Sequence, residues 1–329
     1  MIKEIGSDFF DIELQDSNNL FFNDDVNWFI SGRSALDFIL KDIKRNKDVK
    51  TILVPSYICD TILEPIIRNG LEIKFYSVIV KDNCLFKCIN EEADILLNID
   101  YFGYTTKQEI NFNGIVINDV THSVFVNKDN KSDYVYGSLR KWSGFLTGGF
   151  AYSNTHKFSH NYEEVPSSFI DNKELAQKNK LNYISEVNSS KDYLDLFKQS
   201  EDYLSNNYQY GAYKEDIDKA KHLNIDLIRE KRKENANYLI GNLKDISIYK
   251  EVKEDDCPLF VPIIVENRDK LRKYLIDKKI YCPVHWPLSN YHKIKVNDQE
   301  IYQNELSLIC DQRYNLDDMK YIVDVIKEF

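Results

Sequence analysis

A chain of 329 residues can hold two domains or one large one, and 43% hydrophobic with 29% charged residues marks an ordinary globular protein. The net charge of −10, with no long basic run, argues against nucleic acid and anionic membrane surfaces as partners. The cysteines (Cys59, Cys84, Cys88, Cys257, Cys282, Cys310) form no CxxC pair, so no zinc knuckle, disulfide framework or other metal site is expected. No apolar run approaches the ~20 residues of a membrane helix, and the first residues lack an apolar signal core, so a reduced cytoplasm is the expected compartment.

After a polar N-terminal arm, Trp28 to Leu40 predicts a helix opened by Ser31 or Gly32, with Ala35, Leu36, Ile39 and Leu40 on its apolar face. Its first turn, near Ser31, Arg33 and Ser34, offers free backbone N–H groups to a phosphate, or is simply a capped helix start. Thr51–Pro55 reads as a strand, Ser56–Asn69 as a helix ended by Gly70, and Leu71–Val80 as the next strand. Ala93–Asn98 and Gly114–Asn118 are two more compact apolar runs. Strands alternating with helices imply a mostly parallel sheet covered on both faces. Ligands of such sheets gather beyond the carboxyl ends of the strands, where Tyr101, Asp119 and His122 fall.

The stretch Tyr136–Gly149 carries Lys141, with Ser138 three residues before it and Gly148-Gly149 just after. A lysine that forms a Schiff base needs a partly dry pocket to lower its pKa, a serine three residues earlier can offer its hydroxyl to a phosphate, and paired glycines let the backbone bend close. Residues 156–222 are polar and predict a covering helix and loops. Leu223–Ile246 predicts a long charged helix between a domain at 1–222 and a smaller one at 223–329. The latter reads as a strand (Leu259–Val265), a helix (Arg268–Lys278), an aromatic loop (Tyr281–Leu288) and a strand-like Leu306–Ile309. It ends in a helix (Leu316–Lys327) with Asn315 and Asp318 as a capping pair.

Asp119, His122, Ser138, Lys141 and the helix start at Ser34 together form a set suited to pyridoxal phosphate. Lys141 would carry it, Asp119 would keep its ring nitrogen protonated and the ring an electron sink, His122 would hold its phenolic oxygen or lie along the ring, and Ser138 with the helix start would hold phosphate. Singly, each residue also fits a helix cap, a structural histidine or a solvated lysine.

The chain resembles the DegT/DnrJ/EryC1/StrS family of sugar aminotransferases over most of residues 28 to 329. The resemblance rests on Ser31-Gly-Arg-Ser-Ala-Leu36, Val54-Pro-Ser-Tyr57, Tyr101-Phe-Gly103, Asn118-Asp-Val-Thr-His-Ser123 and Ser138-Leu-Arg-Lys-Trp142, and on Pro283-Val-His-Trp-Pro287 and Leu306–Tyr314. It implies an α/β, fold-type I pyridoxal phosphate enzyme, with a seven-stranded-type sheet in the large domain and a smaller α/β C-terminal domain. By that resemblance Lys141 is the cofactor lysine and proton shuttle, and Asp119 the partner of the pyridine nitrogen. His122 stands near the cofactor oxygen, and Ser34, the Ala35 amide and Ser138 bind phosphate. Tyr57 is the candidate to stack on the ring, while His285, Trp286 and Tyr101 face the substrate. The implied reaction moves an amino group from L-glutamate to a keto group on a nucleotide-linked sugar, for surface glycan, in a homodimer. A non-sugar substrate or a non-catalytic relative stays open, whereas family dehydratases carry histidine in place of the lysine. Chain length departs from the family: the segment after Gly149 is trimmed. Arg33, Arg140 and Arg313 could each meet an anion or sit in a surface ion pair.

Overall fold

The computed structural model describes residues 4–19, 21–22, 25–159, 162–288, 291 and 299–329. A short β1 (Ile5–Gly6) and β2 (Asn27–Phe29) precede α1 (Gly32–Asn46), β3 (Thr51–Pro55), α2 (Asp60–Arg68), β4 (Glu72–Lys81) and β5 (Cys84–Cys88). Then come β6 (Ile95–Ile99), β7 (Ile115–Asp119), β8 (Tyr134–Ser138) and β9 (Gly149–Ser153). Three helices follow, α3 (Ser167–Ile184), α4 (Tyr193–Leu204) and α5 (Lys214–Lys221). The remainder is α6 (Ile225–Asn242), β10 (Phe260–Ile264), α7 (Arg268–Asp277), β11 (Ile280–Tyr281), α8 (Gln299–Asn304), β12 (Glu305–Ile309) and α9 (Leu316–Glu328).

The main sheet has eight strands in the order β2-β9-β8-β7-β6-β3-β4-β5. Strands β4, β3, β6, β7 and β8 run parallel, while β9 lies antiparallel to β8, β2 to β9, and β5 to β4. Every residue of β6 and β8 is buried, as a sheet covered on both faces requires. Among the described residues the sheet has one strand more than the expected seven, and β5 is an edge strand of it. It returns on β4 through Asp82 and Asn83, both at positive φ (51° and 61°), the two-residue turn that matches the twist of a hairpin.

The helix expected over 56–69 begins only at Asp60. The preceding amides are drawn elsewhere: that of Ser56 donates to the Tyr76 carbonyl and that of Ile58 to the Tyr302 hydroxyl. Residues 56–59 therefore stay non-helical, and Tyr57 remains at the carboxyl end of β3. The long helix is likewise shorter than expected, capped by the Asn224 side chain, which accepts from the Leu227 amide.

β10 and β12 pair antiparallel, and β1 pairs parallel with β11, joining the N-terminal arm to the C-terminal part. One cluster of buried apolar side chains runs from Leu53 and Leu97 in the main sheet to Leu239, Val261 and Leu306. Helices α3 and α4 meet through Ala176, Tyr183, Tyr193 and Phe197. The capping pair at Asn315 and Asp318 is a full capping box. Asn315→Ala is expected to lower unfolding free energy by about 1 kcal/mol, read from urea denaturation, and an unchanged midpoint would show the box to be idle.

Candidate active site

Parallel strands place the residues that follow them along one sheet edge, and two of these segments carry the candidate residues. Asp119 is the last residue of β7 and only 2% exposed. Its Oδ1 accepts from the Thr121 amide at 2.8 Å and its Oδ2 from the Tyr136 hydroxyl at 2.9 Å. Tyr136 lies on β8 in register with Asp119. Burial pushes the Asp119 carboxyl above its ordinary value, and the Thr121 and Tyr136 donors pull it back.

Lys141 closes a single 3₁₀ turn (Leu139–Lys141) whose cap is Ser138, its Oγ accepting weakly from the Arg140 amide. Trp142 anchors this turn to the loop after Asp119: its indole N–H donates to the Thr121 carbonyl at 2.8 Å. The Lys141 Nζ lies 3.0 Å from His122 Nε2. Burial lowers the lysine's pKa, Cys59 and Asp119 oppose that shift, and Arg140 adds to it. His122 is held well below its ordinary range by burial, then by Lys141 and His285, so the imidazole is neutral. Its Nδ1 is buried with no partner among the described residues.

Ser31 caps α1: its Oγ accepts from the Ser34 amide at 3.2 Å, and the Ala35 amide donates to the Ser31 carbonyl at 3.1 Å. Ser34 and Ala35 are both fully buried, and with their amides bonded to Ser31 the helix start leaves those of Gly32 and Arg33 without an intrahelical acceptor. The resemblance assigns the phosphate contacts to Ser34 and the Ala35 amide, in this same first turn. Ser138 does reach the helix end, for a Cβ placed on Gly32 would lie 3.5 Å from the Ser138 Cβ. The paired glycines serve the same junction, since a Cβ on Gly149 would lie 2.1 Å from the Ser31 carbonyl oxygen. Beside it, Glu201 of α4 bridges Arg33, at 3.1 Å, and Arg140. Arg313 is also held in the interior, gripping Asp311 at 2.8 and 2.9 Å and stacking 3.9 Å over Phe9 of the N-terminal arm.

Tyr57, Tyr101 and Trp286 form an aromatic cluster, with Tyr57 5.0 Å from Trp286 and 5.6 Å from Tyr101. The Tyr101 hydroxyl donates to the Tyr57 carbonyl. Trp286 stacks on His122, ring centroids 5.3 Å apart and planes 30° off parallel. A cavity of about 480 Å³ reaches Lys141 and His285 and is walled by Arg140, Phe9, Tyr281 and Arg272. Tyr57, Tyr101 and Trp286 are outside its lining. The residues that sequence reasoning missed are Tyr136, Glu201, and Glu305 with Ser307 behind His285. Only Tyr136 left a signal, as the strand neighbour of Asp119.

No protein-family model matches the sequence, and no curated protein does. Solved structures do. Sugar aminotransferase CalS13 from Micromonospora echinospora superposes with a TM-score of 0.62 at 15% identity, over 92% of this chain and 87% of that one. Helicobacter pylori PseC, an aminotransferase involved in the biosynthesis of pseudoaminic acid, gives 0.62 at 15% identity over 92% and 86%. A DegT DnrJ EryC1 StrS aminotransferase from Brucella abortus gives 0.60 at 16% identity over 92% and 85%. The fold is that of the sugar aminotransferases.

Tyr136→Phe removes a donor from a buried carboxylate, so we expect a loss of about 1–3 kcal/mol of stability and a further rise of the Asp119 carboxyl pKa. Urea unfolding and a carboxyl-carbon NMR titration check both, and unaltered values would free Asp119 of any dependence on Tyr136.

Proposed function

We propose that the protein is a pyridoxal phosphate-dependent aminotransferase. The amino group moves from L-glutamate to a keto group on a nucleotide-linked sugar destined for surface glycan. The observation that carries this reading is that half-buried Lys141, just past the end of β8 in a sugar-aminotransferase fold, meets buried His122, which follows buried Asp119 at the end of the neighbouring β7. The donor set fits the cofactor. Asp119 accepts from Thr121 and from the Tyr136 hydroxyl and keeps lone-pair capacity for a ring N–H. The Nδ1 of His122, buried with no partner among the described residues, lies across the ring from the Nε2 that meets Lys141. Ser138 and the open amides of α1 gather at one point, flanked by Arg33 and Arg140.

When bound, the cofactor supplies an electron sink for charge developing at the substrate carbon. The chain's own residues supply the rest. Asp119 holds a proton on the ring nitrogen by keeping a negative charge in a buried place. Lys141, whose burial favours its neutral amine, would hold the cofactor and would move a proton as general base and acid. Ser138 and the first turn of α1, at Ser34 and the Ala35 amide, would hold the phosphate, with the Gly32 and Arg33 amides beside them. His285 and Trp286 face the substrate, and the aromatic cluster with Tyr57 and Tyr101 excludes water. We assign residues 1–222 to the large domain and 223–329 to the small one, and place the enzyme in the cytoplasm as a homodimer. Among the described residues no helix is long and apolar enough to cross a membrane. One contact favours a second reading, a relative that keeps the fold without the chemistry: the Trp286 ring already covers a face of His122.

A visible absorption band that bleaches on adding L-glutamate supports the aminotransferase, and a protein colourless even with added pyridoxal phosphate supports the second reading. Lys141→Ala is expected to fold, to lose borohydride-trappable cofactor and to lose at least 10²–10⁴-fold in rate. Asp119→Asn should retain cofactor yet turn over far more slowly, and an unimpaired variant would remove Asp119 from its role.

A further inference from the structure

Glu305 and Ser307 occupy alternate positions of β12 and so share one face of the strand. Both are fully buried. The Ser307 hydroxyl lies 2.5 Å from Glu305 Oε1 and 2.8 Å from His285 Nδ1, and the His285 backbone N–H donates to Glu305 Oε2 at 3.0 Å. An unbroken chain thus runs from a core carboxyl through one hydroxyl to an imidazole. That imidazole sits edge-on to His122, at 5.2 Å between centroids, and lines the cavity beside Lys141. The catalytic roles above make no use of Glu305 or Ser307.

A carboxyl in a core is costly, and among the described residues this one has no tight cation. Arg268 of α7 spends its guanidinium on Asp269 at 2.6 Å and on the Glu305 backbone carbonyl at 2.8 Å. Among the described residues, Tyr57 beyond β3 and Cys282 after β11 also lie near Glu305. Lys141 and His122 face His285 from the other side. A carboxamide would tie down the His285 loop equally well without burying an acid. What an acid adds is a proton.

Hydrogen-bond direction fixes what the chain can do. A serine hydroxyl has one hydrogen to donate. With Glu305 ionised, Ser307 donates to it and must accept from His285, so Nδ1 carries the imidazole hydrogen and Nε2 is a bare acceptor. With Glu305 protonated the order reverses: Glu305 donates to Ser307, Ser307 to Nδ1, and Nε2 carries the hydrogen.

We propose that Glu305, Ser307 and His285 form a proton relay for the Lys141 site, in which the state of Glu305 sets whether His285 Nε2 accepts or donates. The step balances. A proton arriving at Nε2 forms an N–H bond there, the Nδ1–H bond breaks toward Ser307 Oγ, and the former hydroxyl hydrogen of Ser307 passes to the Glu305 carboxylate. No imidazolium persists and no other reactant is needed. Burial pushes the Glu305 carboxyl up to about 7, against the pull of Ser307, the His285 amide, Arg268 and the Tyr57 hydroxyl. Burial and then Lys141 hold His285 well below its ordinary range. The resting place of the proton is therefore the carboxyl, and the exchange falls near neutral pH. Glu305 and Ser307 are positioning residues acting through His285. The purpose of the relay rests on the aminotransferase reading, but the relay itself does not.

The test is nitrogen NMR on the full chain labelled with 15N-histidine, His285 being assigned by the signals lost in His285→Asn. In the wild type His285 should carry its hydrogen on Nδ1 at pH 8 and on Nε2 at pH 6, with a midpoint near 7. Glu305→Gln should hold it on Nε2 throughout, because the carboxamide N–H donates to Ser307. Ser307→Ala should abolish the pH response and Ser307→Thr restore it, and this pair decides the matter even if Glu305→Gln does not fold. In the glutamate half-reaction, the limb of the rate–pH profile near 7 should vanish in Ser307→Ala and return in Ser307→Thr. A wild type with hydrogen on Nε2 at pH 8, or the same titration in Ser307→Ala, would overturn the relay. A normal tautomer switch in a protein that takes no pyridoxal phosphate would leave the relay standing and the aminotransferase reading fallen.

Discussion

The parallel direction of β3, β6, β7 and β8 is the constraint on which the site depends. Each strand must deliver its chain to the same edge of the sheet before a crossover returns it. Tyr57 leaves β3, Tyr101 leaves β6, Asp119 ends β7, and Ser138 to Lys141 leave β8, so four separate stretches of sequence meet without any contact between them having to be strong. Antiparallel β9 then turns back beside β8, and Gly148, at φ 116°, with Gly149 lets it pass against the start of α1. That passage brings the helix end to Ser138.

The edge so formed is unusually rich in buried polar groups for its size, and they are arranged so that few charges need be held there. Lys141, His122 and His285 are all pushed toward their neutral forms by burial, and Glu305 is pushed the same way. Asp119 is raised by burial but keeps two donors that favour its charge. Below it, Asn98, Asn118, Asp100 and Lys87 bond to one another at the ends of β6 and β7. A group of neutral bases around one supported carboxylate is suited to passing protons, since each can take or give one at small cost near neutrality.

C-terminal elements lock the lysine turn in place. Arg232 of α6 lies 4.7 Å over the Trp142 ring and also bonds to the Leu259 carbonyl, while Gln312 donates to the Trp142 carbonyl at 2.7 Å. The residue after Lys141 is thus held from one side by the Thr121 loop and from the other by α6 and the segment after β12. Arg313, in the same segment, ties down the N-terminal arm that walls the cavity. Cavity shape and lysine position therefore share their supports.

Local pattern determined much of this protein. The apolar runs at β6 and β7, the Ser31 cap of α1 and the Asn315–Asp318 box each involve residues within a few positions of one another, where periodicity and capping chemistry suffice. Lys141, Asp119, His122 and Ser138 were legible because strand–loop alternation places them on one edge. Tertiary structure alone decided the rest. Tyr57 stays out of a helix because Tyr76 and Tyr302 take the neighbouring amides. Arg33 and Arg140 meet the same Glu201 across 168 and 61 positions of chain. Glu305 and Ser307 face His285 because β12 passes behind the loop after β11. A side chain's charge and polarity are written in its identity, but its partner and its degree of burial depend on which distant segment the fold lays against it, and those two quantities set its proton affinity.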